Sequence, residues 1–270
     1  MNLGKRTRLN RIFSHSSGRL CSVAVDHFVG YQQQGLPSGL QDMPAILDQI
    51  VSGAPGAVTM NKGVAMRCWE RHAGRVPLII QAGWFTADDG IMETMADPEE
   101  VLRLGADAVA FSIGVRGPNE GRYMKALASM VDQSARFDLP VIAHIYPRNF
   151  EAVPPQVLHD PENIAWAVRA GLECGAVVIT VGYTGDPVSF AQLVAQTPAP
   201  IVAAGGPKSE SFVEALELMR AACNAGARGA TIGRNIWGHR HPKQALQAFK
   251  RVVLEEQEPA TAAAELEACL

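Results

Sequence analysis

The sequence predicts a (β/α)₈ barrel built from residues 1–270 as one domain, and three observations carry that reading. Short β-branched apolar runs alternate with longer segments of helical period. There are eight such runs. One unit, helix then Gly-Ala then strand, recurs as LGADAVAF, CGAVVIT and AGARGATI. Runs of this kind fit parallel strands with helices on one face and packed side chains on the other. Eight repeats of one unit close most simply into a barrel. An open doubly wound sheet is the alternative, but it usually has fewer strands and an early GxGxxG turn, which this sequence lacks.

The runs, in order, are SVAVDH (22–27), AVTMNK (57–62), PLIIQA (77–82) and AVAFSIG (108–114), then PVIAHIY (140–146), AVVITVG (176–182), PIVAAGG (200–206) and GATIGR (229–234). Between them lie amphipathic stretches such as ENIAWAVRAGLECG and SFVEALELMRAACNAG, each ending in a glycine suited to a helix C-cap. Three connections are longer than a barrel needs: 29–41, 83–97 and 149–160. All three follow strand C-terminal ends, the face where barrel enzymes carry their sites. From residue 255 on, the chain is rich in Ala and Glu and reads as a frayed helix or tail.

A formal net charge of −3 argues against a protein devoted to nucleic acid or an anionic membrane surface. The early basic run KRTRLNR (5–11) reads as a solvated terminal arm. Cys21, Cys68, Cys174, Cys223 and Cys269 are scattered without CxxC spacing, which reads as reduced, buried thiols. No zinc-type spacing, signal peptide or membrane span is visible, so the expectation is a soluble cytoplasmic protein with no cofactor.

A strand that only fills a core should end in apolar or small residues. Here Asp26 and His27 end the first run, Asn61 and Lys62 the second, His144 and Tyr146 the fifth, and Arg234 the eighth. Asp26, His27, Lys62, His144 and Tyr146 are therefore the candidate catalytic groups at one mouth of the barrel. The last two runs continue into AAGGPK (203–208) and IGRN (232–235). Glycines at these turns bare backbone N–H groups, and basic side chains add charge, which is the usual phosphate site of barrel enzymes. Gly205, Gly206, Lys208, Gly233 and Arg234 are assigned to that cradle, and a small phosphorylated substrate is implied. His27, His144, Asp26, His239 and His241 are metal-ligand types, but no helical His spacing supports a metal. His239 and His241 read as surface residues, and Trp69, Trp84 and Trp237 as packing residues, with Trp84 placed to line the pocket.

The motifs VDHF, IYPR, GYTGD, AAGGPK and IGRN, in this order, resemble those of the bacterial and archaeal class I fructose-bisphosphate aldolases, grouped with deoxyribose-phosphate aldolase and the autoinducer-2 thiolase. The resemblance covers nearly the whole chain. It implies that Asp26 orients or shuttles protons, that Tyr146 is a general acid/base, and that the barrel forms a homo-oligomer. It also implies a Schiff-base lysine in the sixth strand, in a motif like K-T-x-Y-T-G-D. This chain reads TVGYTGD, with Thr180 at the lysine position and no lysine anywhere in that strand. A threonine hydroxyl cannot form an imine. A second departure is Phe28, where the family commonly has glycine.

Three functional readings follow. Lys62 has taken over imine formation; or the scaffold runs imine-free proton transfers through Asp26, His27, His144 and Tyr146; or the chain is a non-catalytic phosphosugar-binding protein.

Overall fold

A computed structural model of the chain describes residues 2–27, 35–86, 89, 92–152 and 155–268. Phe28, Cys269 and parts of the three long connections (29–34, 87–88, 90–91 and 153–154) lie outside the described residues.

Among the described residues, eight parallel strands form a ring: β1 (Leu20–Ala24), β2 (Ala57–Asn61), β3 (Leu78–Phe85), β5 (Ala108–Val115), β6 (Val141–Asn149), β8 (Val178–Val181), β9 (Ile201–Ala204) and β10 (Gly229–Ile232). Each pairs with its neighbour in chain order, and β10 pairs back onto β1 to close the ring. The architecture is a TIM barrel. Two short strands ride on it, β4 (Met92–Thr94) on β3 and β7 (Gln156–Val157) on β6, both antiparallel. They give structure to two of the long connections that the sequence left as loops.

Helices follow the strands: α2 (Met43–Ser52), α3 (Lys62–Cys68), α4 (Pro98–Arg103), α5 (Glu120–Ala135), α6 (Pro161–Glu173), α7 (Pro187–Gln196) and α8 (Phe212–Asn224), then α9 (Arg234–Trp237) and α10 (Pro242–Leu254). Their starts are written into the sequence. Asp97, Asp160 and Asp186 each cap a helix whose first residue is proline, the side chain accepting from backbone N–H groups that the helix leaves unpaired. Ser211 and Glu214 form a capping box on α8. The expected C-terminal glycines are present as well: Gly175 and Gly226 take φ of +81° and +101° just past α6 and α8.

Alternation along the strands divides the core in two. Val23, Val58, Ile80, Val109, Ala143, Ile179, Ala203 and Ile232 face the helices in one large cluster. Leu20, Ala57, Ile79, Ala108, Ile142, Val178 and Val202 form a second cluster inside the ring.

Two expectations are corrected here. The basic run at 5–11 is part of a helix, α1 (Leu3–Ile12), whose Leu9 and Ile12, with the following Phe13, pack onto the inner cluster and stop the N-terminal end of the barrel. Charges spaced along its outer side hid an apolar stripe too short to register as amphipathic. The tail is also folded. Helix α11 (Pro259–Ala268) buries Ala262, Ala263 and Leu266 beside α10, and Glu265 pairs with Arg251. Small alanines give a weak hydrophobic pattern yet pack closely. The described cysteines are free, with Cys21, Cys174 and Cys223 buried. Among the described residues no helix is long and apolar enough to cross a membrane.

Candidate active site in the barrel mouth

One step above the inner apolar cluster, the inward-facing positions turn polar. Two residues on from Leu20, Ala57, Ile79, Ala110, Ile142, Val178 and Gly229 stand Ser22, Thr59, Gln81, Ser112, His144, Thr180 and Thr231. Seven of the eight barrel strands thus place a hydrogen-bonding side chain at an inward-facing position just beyond that cluster. Ser22 Oγ and Thr231 Oγ1 lie 2.8 Å apart. Gln81 donates from Nε2 to Ser112 Oγ at 2.9 Å and to the Gly83 carbonyl. His144 stands in register between Ser112 and Thr180. Sequence reading singled out His144 in this belt as a candidate group, and Thr180 only as the residue at the family's lysine position. The signal for the others was a polar residue at every second position inside runs read as simply apolar.

Asp26 and His27 follow β1 at its C-terminal end. The Asp26 side chain is 16% exposed. Burial raises its pKa to about 6, against a lesser opposing hydrogen bond to its own backbone. The His27 ring sits edge-on to Trp237, 5.3 Å between centroids, and against Gly233, where any Cβ would collide with it. Burial, helped by Arg234 and then His144, lowers the His27 pKa to about 3. The 3.7 Å approach of His27 Nδ1 to Asp26 Oδ1 is therefore a contact with a neutral imidazole rather than an ion pair. Burial also brings His144 down to about 4. The mouth holds two imidazoles that stay neutral at pH 7 and one carboxyl poised near neutrality.

Tyr146, half-buried two residues beyond His144, lies 6.1 Å from the Phe85 ring. The buried Arg148 guanidinium lies over the same Phe85 ring. Lys62 lies just past the C-terminal end of β2, and its amine is engaged in an ion pair. It is the first residue of α3, and its Nζ donates to both carboxylate oxygens of Glu100 at 2.8–2.9 Å. Glu100, which accepts from this amine, is itself fixed in the capping box of α4.

At the turns expected to cradle a phosphate, Gly233 precedes α9 and Arg234 is its first residue. The Gly205 N–H is not bared as expected; it donates to the Thr231 carbonyl, continuing the β9–β10 pairing. Lys208 is exposed and donates to the Gly238 carbonyl at 2.8 Å. The residue that organises the two turns is one the sequence reading did not assign. Asn235, buried at 5% exposure, donates to the carbonyls of Gly205 and Pro207 and accepts from the Ser209 N–H. A second omission is His159, whose ring fills the space above Gly182, where a Cβ would strike Nδ1. Burial lowers its pKa, with Asp160 opposing.

Among the described residues no three His, Cys, Asp or Glu side chains gather as a metal site requires. His239 and His241 pack near each other, and His239 lies against Phe212. Trp69 and Trp237 are buried, and Trp237 Nε1 donates to the Ala24 carbonyl beside the mouth. A separate cavity of about 600 Å³ lies outside the barrel interior, between Asp89, Glu93 and Asp97 and the Arg122–Lys125 side of α5.

A closed parallel barrel with its ionisable groups at the C-terminal strand ends has the layout of a (β/α)₈ barrel enzyme. The chain belongs to the DeoC/LacD family of aldolases, whose model matches residues 20–239. It is 32% identical over 263 residues to a 2-amino-3,7-dideoxy-D-threo-hept-6-ulosonate synthase of Halobacterium salinarum, covering 97% of this chain and 96% of that protein. It is 31% identical over 253 residues to a class 1 fructose-bisphosphate aldolase of Thermoproteus tenax, covering 90% and 92%. Among solved structures it resembles an archaeal fructose-1,6-bisphosphate aldolase caught with its catalytic lysine bound to the carbinolamine intermediate. There the TM-score is 0.82 at 27% identity, over 93% of this chain and 99% of the other.

Proposed function

We propose that this aldolase-family protein is an enzyme acting on a small phosphorylated sugar or keto compound by imine-free acid–base chemistry, as an isomerase, an epimerase or a carbon–carbon lyase. The observation that carries the proposal is Thr180. It occupies the position that the family resemblance gives to the Schiff-base lysine, inside the barrel on β8, and it offers a hydroxyl where an imine needs an amine. Lys62, the alternative candidate for imine formation, is engaged by Glu100.

Without an imine, the electrons released when a proton or a carbon leaves the substrate must rest on a carbonyl oxygen. Asp26 suits the base: with a pKa near 6 it is ionised at pH 7 yet still basic enough to take a proton. His27 and His144, held neutral, are N–H donors able to polarise a carbonyl without surrendering a full proton, and Tyr146 is the acid nearest to them in the strand pattern. The phosphate end would lie at the turns after β9 and β10, beside Gly206, Gly233 and Arg234 and within reach of Lys208, with Asn235 holding the two turns together. The name of the Thermoproteus relative, a fructose-bisphosphate aldolase, supports a phosphorylated substrate.

Exchange of solvent deuterium into dihydroxyacetone phosphate, followed by NMR, tests the reading. The parent is expected to wash deuterium into the carbon beside the carbonyl, and Asp26→Asn and Tyr146→Phe to slow this by roughly 10²–10⁴-fold. No exchange and no turnover across a panel of phosphoketoses would favour the phosphosugar-binding alternative.

A further inference from the structure

Two buried polar atoms in the interior belt have no hydrogen-bond partner among the described residues: Gln81 Oε1 and Thr180 Oγ1. Their residues are 3% and 2% exposed. Such atoms are uncommon, because an unpartnered buried acceptor forfeits its hydration. The Gln81 amide has no freedom to turn round, since its Nε2 is committed to Ser112 Oγ and the Gly83 carbonyl. Its oxygen is thus fixed as an acceptor. Ser112, His144 and Thr180 stand in register on three consecutive strands of the ring, β5, β6 and β8, and Gln81 on the adjoining β3 is tied to them by its hydrogen bond to Ser112. Ser112, though it lies among inward-facing positions, is only partly buried.

We infer that Gln81, Ser112, His144 and Thr180 form a subsite that selects a hydroxyl- or amino-bearing end of the substrate. The chemistry sets the class. A fixed amide oxygen accepts only from a donor, so it welcomes an alcohol or an amine and repels a carbonyl or carboxylate. Thr180 Oγ1 and the neutral His144 ring each offer a further contact to the same group or its neighbour. Position sets the orientation. In the ring β3 and β5 lie opposite β9 and β10, so a ligand with its phosphate at the latter turns extends its far end toward Gln81 and Ser112. This orientation, but not the donor preference, rests on the phosphate reading above. Thr180 then has a purpose of its own: a short side chain leaves room for a polyol where a lysine would cross the interior.

Calorimetric titration with ribitol 5-phosphate, pentyl phosphate and inorganic phosphate separates these points, because the first two share length and charge and differ in hydroxyls. The parent should bind ribitol 5-phosphate roughly tenfold or more tighter than pentyl phosphate, since an alkyl chain leaves the site's polar atoms unpaired. Thr180→Val, nearly isosteric, should shrink that preference several-fold while leaving inorganic phosphate binding unchanged, and Thr180→Ser should retain it. Thermal unfolding of the valine variant checks that the barrel is intact. Equal affinity of the parent for the two organic phosphates, or an undiminished preference in Thr180→Val, overturns the subsite. A polyol preference without binding of inorganic phosphate leaves the subsite standing and overturns the phosphate cradle. Binding of none of the three probes overturns both.

Discussion

Burial of the Asp26 carboxyl should cost the folded protein stability at neutral pH, and that is measurable. The carboxyl binds a proton more tightly in the folded protein, at about pH 6, than the unfolded value of 3.8. The folded state therefore loses stability as pH rises from the unfolded to the folded pKa, and the penalty is complete above about pH 6. A shift of about two pH units corresponds to roughly 2–3 kcal/mol. Asp26→Asn should accordingly raise the unfolding temperature at pH 8 and have little effect on it at pH 4, while abolishing most activity. This is the trade between stability and function that active-site groups impose. The same group predicts an acid limb in kcat/KM near pH 6, where the base becomes protonated; the neutral imidazoles should contribute no limb between pH 6 and 8. A limb that persists in Asp26→Asn would assign the titration elsewhere. At this scale the sequence was partly legible. Asp26, His27, His144 and Tyr146 stood out because they end apolar runs. Gln81 and Ser112 did not, because a polar residue at an inward position is indistinguishable from a tolerated one until the barrel closes and removes water from it; Thr180 stood out only through the family motif, not as a polar group of the interior.

Between elements, the two turns after β9 and β10 act as one piece because of Asn235. Its amide makes three hydrogen bonds to the opposing turn. Asn235→Ala would leave Gly205 and Pro207 carbonyls and the Ser209 N–H without it, and should cost about 1–3 kcal/mol in urea unfolding while weakening phosphate binding. Unchanged phosphate affinity in a destabilised variant would show that the turns need no such tie. The Lys62–Glu100 pair joins the starts of α3 and α4, and both side chains are about one-third exposed. Glu100→Gln should alter stability by less than about 1 kcal/mol and leave turnover near the parent's. If freeing Lys62 changed turnover markedly, the lysine would belong to the chemistry. Lys62, which the sequence places at the end of the second run, is in fact the first residue of α3, and its partner, 38 residues away on another unit of the barrel, leaves no local signal. Helix caps, by contrast, are local. The Asp-Pro starts and the glycine ends were readable because the residues that make them are adjacent.

At the level of the whole molecule, the barrel was legible because eight repeats of one pattern leave few ways to close, and each strand is covered by the helix that follows it. The two terminal helices were not, since neither belongs to a repeat. Leu9, Ile12 and Phe13 stop the lower end of the ring, where the inner cluster would otherwise meet water. Ile12→Ala, at a fully buried position, should cost about 2–5 kcal/mol in denaturant unfolding without changing ligand affinity at the opposite mouth. A loss near zero would mean that α1 is docked loosely. The account as a whole turns on whether this member of an aldolase family works without a covalent substrate adduct. The direct measurement is borohydride reduction of the intact protein with dihydroxyacetone phosphate and related phosphoketoses, followed by peptide mass mapping, alongside turnover of the same compounds. The account predicts turnover with no reduced adduct on any lysine. A stoichiometric adduct on Lys62, or on any other lysine, formed only in the presence of substrate would contradict it.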